Sequence, residues 1–198
     1  MSLCLPARIA GDQAARHFCR PRFRNLYGLL AKTVRVAAPG TPSSRVPPFV
    51  ERLWLPAYAI CLRTTTRDTQ KSVWTSVEGI SGEFTMLDCV DELAPRQLNE
   101  DWFPAGLDET QAVELARQGI LKYVMVQRGQ LNKPTVDAVE EVRPYHFAGW
   151  VYYYRRRRKY IDLKVLDGYT GKSAGAKMRV SVINALIAAR RQRNIAEE

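Results

Sequence analysis

The stretch Tyr152-Tyr153-Tyr154-Arg155-Arg156-Arg157-Arg158-Lys159-Tyr160 sets five consecutive cations directly behind three aromatic rings. That mixture suits single-stranded nucleic acid, whose bases stack on exposed rings while cations follow the phosphates. With the two-residue period of a strand, Tyr152 and Tyr154 share a face with Arg156 and Arg158, as such a grip needs. A second basic cluster closes the chain. The run "KMRVSVINALIAARRQRN" reads as a helix with Val182, Leu186 and Ala189 on one face, and Arg190, Arg191 and Arg193 in its last turn. Cations there complement the helix dipole. Such a helix can rest on a membrane surface, but packing on a sheet is the preferred reading.

Residues for covalent or metal chemistry are sparse. Cysteines stand alone at 4, 19, 61 and 89, and the histidines are His17 and His146. A zinc site draws about four converging ligands, usually in close pairs, so neither a metal site nor a disulfide scaffold is assigned. Single cysteines of this kind read as small buried groups in a reducing, cytoplasmic setting. Cys61, Cys89, Ser72 and Ser76 are candidate nucleophiles, yet none sits in a recognised setting beside a histidine. His146 lies in an aromatic strand and reads as a packed residue. Asp88, Asp91 and Glu92 could pair for acid–base work but read as a solvated face. The run "GYTGKS" (168–173) has two residues between its glycines where a phosphate loop has four. No catalytic, cofactor-binding or metal-binding residue is therefore assigned.

The charge layout says more. The 198 residues carry a net charge of +10. Ten acids and one base (Arg96) lie between Glu78 and Leu115, while twelve bases and two acids lie between Tyr152 and Arg193. A basic field favours polyanions, and a basic segment beside an acidic one equally favours contact between copies. No run approaches the roughly 18 apolar residues of a membrane span. Pro6 and Arg8 interrupt what would be the core of a signal peptide. Residues 1–50 hold eight bases against Asp12, a transit-peptide-like balance, but they are poor in serine.

An internal repeat organises these elements. Val50–Arg63 aligns with Val142–Arg155, setting Tyr58 against Trp150, and Val77–Gly82 aligns with Leu166–Gly171. Upstream, Ala31–Val36 aligns with Leu121–Val126. In the second copy, Asp108 reads as an N-cap with Gln111 three residues on. A helix over 109–118, a strand over 120–126 and a turn over 127–134 follow from the pattern. Next come a long strand to about Arg156, its hairpin partner Tyr160–Leu166 and a helix from about Ala176 to Gln192. The cations fall where the two strands reverse, so the solvated tip of a hairpin is their first reading and a polyanion grip the second. The expected class is α+β, two tandem modules, each a helix on a small antiparallel sheet with a long hairpin. The expected division is a tail at 1–11, a first module at 12–94, an acidic linker at 95–107 and a second module at 108–198.

The segment "YIDLKVLDGYTG" resembles the PepSY-like modules of bacterial proteins, and the tandem aromatic-Pro hairpin units that end in a "DG-x-TG" turn. The residues carrying the likeness are Trp54, Pro56 and Tyr58 with Gly79 and Gly82, then Tyr145, Phe147 and Trp150 with Asp167, Gly168, Thr170 and Gly171. Glu78 and Ser81 replace Asp167 and Thr170 in the first copy. The resemblance implies a binding or regulatory module rather than an enzyme, with the glycines, Asp167 and Thr170 as structural turn residues. The leading expectation is a non-enzymatic binding or assembly protein, with a protein partner or self-association through acidic middle and basic end. The runner-up is single-stranded nucleic-acid binding through Tyr152, Tyr154, Arg155–Arg158, Lys159, Arg190 and Arg191. An enzyme with an unrecognised site ranks third.

Overall fold

The computed structural model describes residues 2–19, 35–36, 46–66, 69–97, 103, 105–128, 135–156 and 160–196, without the side chains of Arg35 and of 188–196. In chain order the elements are β1 (Ser2–Leu5), α1 (Gly11–Phe18), β2 (Arg35–Val36) and β3 (Phe49–Thr66). Then come β4 (Thr69–Glu78), β5 (Phe84–Met86), β6 (Ala94–Arg96), α2 (Glu109–Arg128), β7 (Thr135–Arg156), β8 (Tyr160–Asp167) and α3 (Ala176–Ala196). The class is α+β, with a mixed sheet in which β2 pairs with β3 in parallel and the hairpins are antiparallel.

The chain forms two compact units, and both draw on both halves of the sequence. Unit one comprises Met1–Leu5, Leu55–Gln97 and Pro104–His146; unit two comprises Pro6–Trp54, Leu98–Phe103 and Phe147–Glu198. In unit one the strand order is β5-β4-β3-β7-β1-β6. Ile60, Leu62 and Val77 meet Ala112, Ala116 and Ile120 of α2 in its core. Alternate residues of β3 turn Tyr58, Ile60 and Leu62 to the helix. The small side chains at 112 and 116, one turn apart, let helix and sheet approach closely. Buried hydroxyls there find partners: Thr75 donates to the Ile60 carbonyl at 3.0 Å, and the Ser76 and Tyr145 hydroxyls pair at 2.7 Å.

The expected strand over 120–126 is helix. The apolar positions 112, 116, 120 and 124 continue the four-residue spacing past Gly119, and Val124 packs on the same core. Burial of that stripe outweighs the β-preference of "ILKYVMV", a weak prior beside packing. The N-cap is where the sequence puts it. Gln111 N–H donates to Asp108 Oδ1 at 2.8 Å, and Gln111 Oε1 accepts from Asp108 N–H at 3.1 Å. The last helix runs to Ala196, beyond the expected end. Residues 2–5, expected as tail, form β1 against β6 because Cys4 and Leu5 are buried apolar groups. The expected acidic linker supplies β6 residues and a buried Phe103. The expected turn lies largely outside the described residues, as does the Ala31–Val34 part of the repeat.

In unit two, β2 pairs with residues 49–50 of β3 and β8 pairs with β7. Its core joins Ala14 and Ala15 of α1 to Val50, Trp150 and Leu166. Met178 and Val182 of α3, a helix packed on β8, are buried as well.

One turn is built twice, with the same hydrogen bonds. Glu78 accepts from Ile80 N–H at 3.0 Å and from Ser81 N–H, and Gly82 N–H returns to the Glu78 carbonyl at 2.9 Å. Asp167 accepts from Tyr169 N–H at 2.8 Å and Thr170 N–H at 3.3 Å, and Gly171 N–H returns to the Asp167 carbonyl at 2.9 Å. Gly82 and Gly171 both have φ of 70°, where a side chain is disfavoured. Gly79 N–H donates to the Pro56 carbonyl and Gly168 N–H to the Ala148 carbonyl, each at 2.8 Å. The approach to a helix docks on each turn. Gly106 and Leu107 N–H donate to the Gly79 carbonyl, and Arg8 and Ile9 N–H to that of Gly168. Tyr58 O–H then meets the Leu107 carbonyl at 2.7 Å as Trp150 Nε1–H meets that of Ile9 at 2.9 Å.

The partners are exchanged, however. The helix approach before the first hairpin docks on the turn after the second, and the reverse. The two units are thus not the consecutive stretches 12–94 and 108–198. α1 packs on Val50, Trp150 and Leu166, close to the Gly168 turn, while the Gly79 turn lies beside Pro56, six residues further along β3.

Glu78 also makes stability pH-dependent. Its carboxyl is buried, and desolvation raises its pKa against the opposing pull of the Ser81 and Ile80 hydrogen bonds. A raised folded pKa means that the folded state holds the proton more tightly. The contribution is fully present below the unfolded carboxylate range and is lost as pH rises through the folded value. Urea titrations across acid to neutral pH should show wild type losing stability relative to Glu78→Gln as pH rises. Parallel curves would remove Glu78 from the account.

Candidate functional site

Charge separates between the units. Unit one holds nine Lys and Arg against twelve Asp and Glu, a net −3; unit two holds twenty-one against eight, a net +13. The site is therefore built on unit two, where β7 and β8 form the expected hairpin, with Trp150 opposite Leu166 and Arg156 opposite Tyr160. Arg155 and Arg156 end the ladder and are exposed. Arg157, Arg158 and Lys159 lie outside the described residues, as do the side chains of Arg190 and Arg191.

Tyr152 and Tyr154 share a face, in stacked geometry with centroids 5.5 Å apart. Phe18 of α1 stacks on Tyr152 at 5.2 Å, and Lys164 Nζ lies 5.4 Å from the centroid of Tyr154. These rings therefore spend their faces on protein neighbours, which weakens the base-stacking geometry that the sequence suggests. His17 sits edge-on to Phe18 with Nε2 3.1 Å from Ser173 Oγ. On the opposite face Tyr153 stacks on Phe49 at 4.6 Å and donates to Glu51 at 2.5 Å.

Asp162, 7% exposed, gathers the cations. It accepts from Tyr154 O–H at 3.0 Å and from Leu163 N–H at 2.8 Å. Arg156 Nη1 stands 3.8 Å and Arg179 Nε 3.5 Å from its oxygens. One carboxylate between two guanidiniums leaves a positive surplus. Burial, then the Asp162 hydrogen bond and charge, raise the Tyr154 phenol pKa, so it stays a neutral donor. Sequence reading did not single out Phe18, Lys164, Asp162 or Arg179. The hairpin register, which sets Tyr154 opposite Asp162 and Tyr152 opposite Lys164, was the available signal.

The candidates for covalent chemistry are not brought together. Cys61 Sγ donates to Glu140 Oε2 at 3.3 Å, and burial, then Glu140, push its thiol up to about 11, so it stays protonated at neutral pH. Arg63 holds the same carboxylate at 2.7 Å. All four cysteines are free thiols. His146 is half-buried in β7, and Asp91 and Glu92 are exposed on a 3-10 turn. Among the described residues no three His, Cys, Asp or Glu converge as metal ligands. Nor is any helix among them long and apolar enough to cross a membrane. No known protein family, curated protein or solved structure matches the chain.

Proposed function

We propose that this chain is a non-catalytic binding module whose working surface is the basic unit and whose ligand is an anionic macromolecular surface. The supporting observation is the charge separation, a net +13 on one unit against −3 on the other, with Arg155 and Arg156 exposed at the hairpin end. Self-association is one form of this reading, with the acids of unit one as the anionic surface of a second copy. Exposed Asp88, Asp91, Glu92, Asp108, Glu109 and Glu114 support that form. Single-stranded nucleic acid is the second reading, supported by Tyr152, Tyr154 and Arg156 lying on one face. The likeness to PepSY-like hairpin modules and a reducing, cytoplasmic setting belong to the proposal too; the doubled turn and the free thiols support them.

The test uses nuclease-treated protein on heparin, a generic polyanion, followed by light scattering over a salt series. Binding should weaken steeply with salt as counterions are released. Arg155→Glu with Arg156→Glu should weaken it about tenfold more than the charge-matched pair Arg117→Glu with Lys122→Glu on exposed α2 positions of unit one. Equal effects of the two pairs would reduce the binding to net charge and overturn the site.

A further inference from the structure

The hairpin end is not only cationic. Directly after the cation tract, Tyr160 is 67% exposed and Ile161 is 65% exposed. In the ladder they stand opposite Arg156 and Arg155 respectively. The next residues inward, Asp162 and Leu163, are buried, so this exposure is confined to the end of the hairpin. α3 repeats the pattern. Met178 and Val182 are buried, while Val180 and Ile187, seven residues apart and so on one helical face, are about half exposed, at 50% and 48%.

We infer that the Tyr160–Ile161 hairpin end inserts into the headgroup region of an anionic lipid bilayer, held there by the flanking arginines. This rests on the anionic-surface reading and names its partner. Charge complementarity selects an anionic surface, since basic segments beside a bilayer gain attraction from each cation near acidic lipids. The exposed side chains select lipid among such surfaces. Tyrosine favours the interface, where its ring meets acyl chain and its hydroxyl meets water. Isoleucine has no role along a phosphodiester backbone. The tyrosines suited to stacking bases, Tyr152 and Tyr154, are engaged by Phe18, Lys164 and each other. Asp162 supplies the rigid base of the anchor by holding Arg156, Arg179 and Tyr154 together.

The experiment is co-sedimentation of the full chain with phosphatidylcholine vesicles, and with vesicles carrying about 30% phosphatidylserine, at about 0.1 M salt. Partitioning should be confined to the anionic vesicles. Tyr160→Ser with Ile161→Ser, at positions exposed enough to leave the fold alone, should reduce it about tenfold and leave heparin binding unchanged. Arg155→Glu with Arg156→Glu should reduce both. Heparin binding without vesicle binding, or unchanged partitioning of the serine variant, overturns the lipid assignment and leaves the anionic-surface reading standing. Loss of both kinds of binding in the wild type overturns that reading itself. A single-stranded oligonucleotide that binds more tightly than the vesicles and displaces them would move the site to nucleic acid.

Discussion

Gly168→Ala is expected to destabilise the protein by about 3 kcal/mol, a fall in melting temperature of roughly 10 °C for a chain of this size. A Cβ at 168 would lie 2.5 Å from the Ala148 carbonyl oxygen, closer than real contacts come. That oxygen cannot retreat without cost. It accepts the Gly168 N–H at 2.8 Å, and Ala148 is buried within β7. Nor can residue 168 move freely, because its own carbonyl holds Arg8 and Ile9 N–H at 2.9 Å each. The counterpart substitution, Gly79→Ala, brings a Cβ to 3.1 Å from the Pro56 carbonyl, which a small shift relieves. It should cost nearer 1 kcal/mol. Urea or thermal denaturation of both variants separates the cases. An equal or larger loss at Gly79 would show that steric contact with the preceding strand is not what requires these glycines.

Trp150→Ala should cost more, about 3–5 kcal/mol, because it deletes a large buried ring from the core of unit two. The indole packs with Ala14, Ala15, Val50 and Leu166, and its Nε1–H satisfies the Ile9 carbonyl just ahead of α1. A short helix of 8 residues is marginal without such packing. Hydrogen exchange should therefore show α1 amides losing protection in the variant while α2 amides, in unit one, keep theirs. Tyr58→Phe removes only the hydroxyl that meets the Leu107 carbonyl and should cost about 1 kcal/mol. Uniform loss of protection over α1 and α2 in Trp150→Ala would mean that the two units unfold as one and that Trp150 has no local role.

Local patterns were legible along the chain wherever neighbours in sequence are neighbours in space. The period-two runs and the reversal between them determine the β7–β8 hairpin, and the Asp108–Gln111 pair determines where α2 begins. The glycine pattern determines the doubled turn, since only a residue without a side chain sits easily at φ of 70°. The repeat of Tyr58 at Trp150 is visible as well, and both side chains do reach the corresponding carbonyl.

Packing settled the rest. Whether "ILKYVMV" continues a helix depends on the core that Ile120 and Val124 meet, not on its own preferences. The rings of Tyr152 and Tyr154 read as exposed platforms until Phe18, more than a hundred residues earlier, is laid against one of them. Above all, the pairing of helices with turns could not be read locally. Both helix approaches offer the same two N–H donors, and both turns offer the same glycine carbonyl, so the sequence is indifferent between pairing within a copy and pairing across copies. Packing in three dimensions chooses the exchange, because the core that α1 enters is made by Val50, Trp150 and Leu166, next to the Gly168 turn, while the Gly79 turn lies beside Pro56, six residues further along β3.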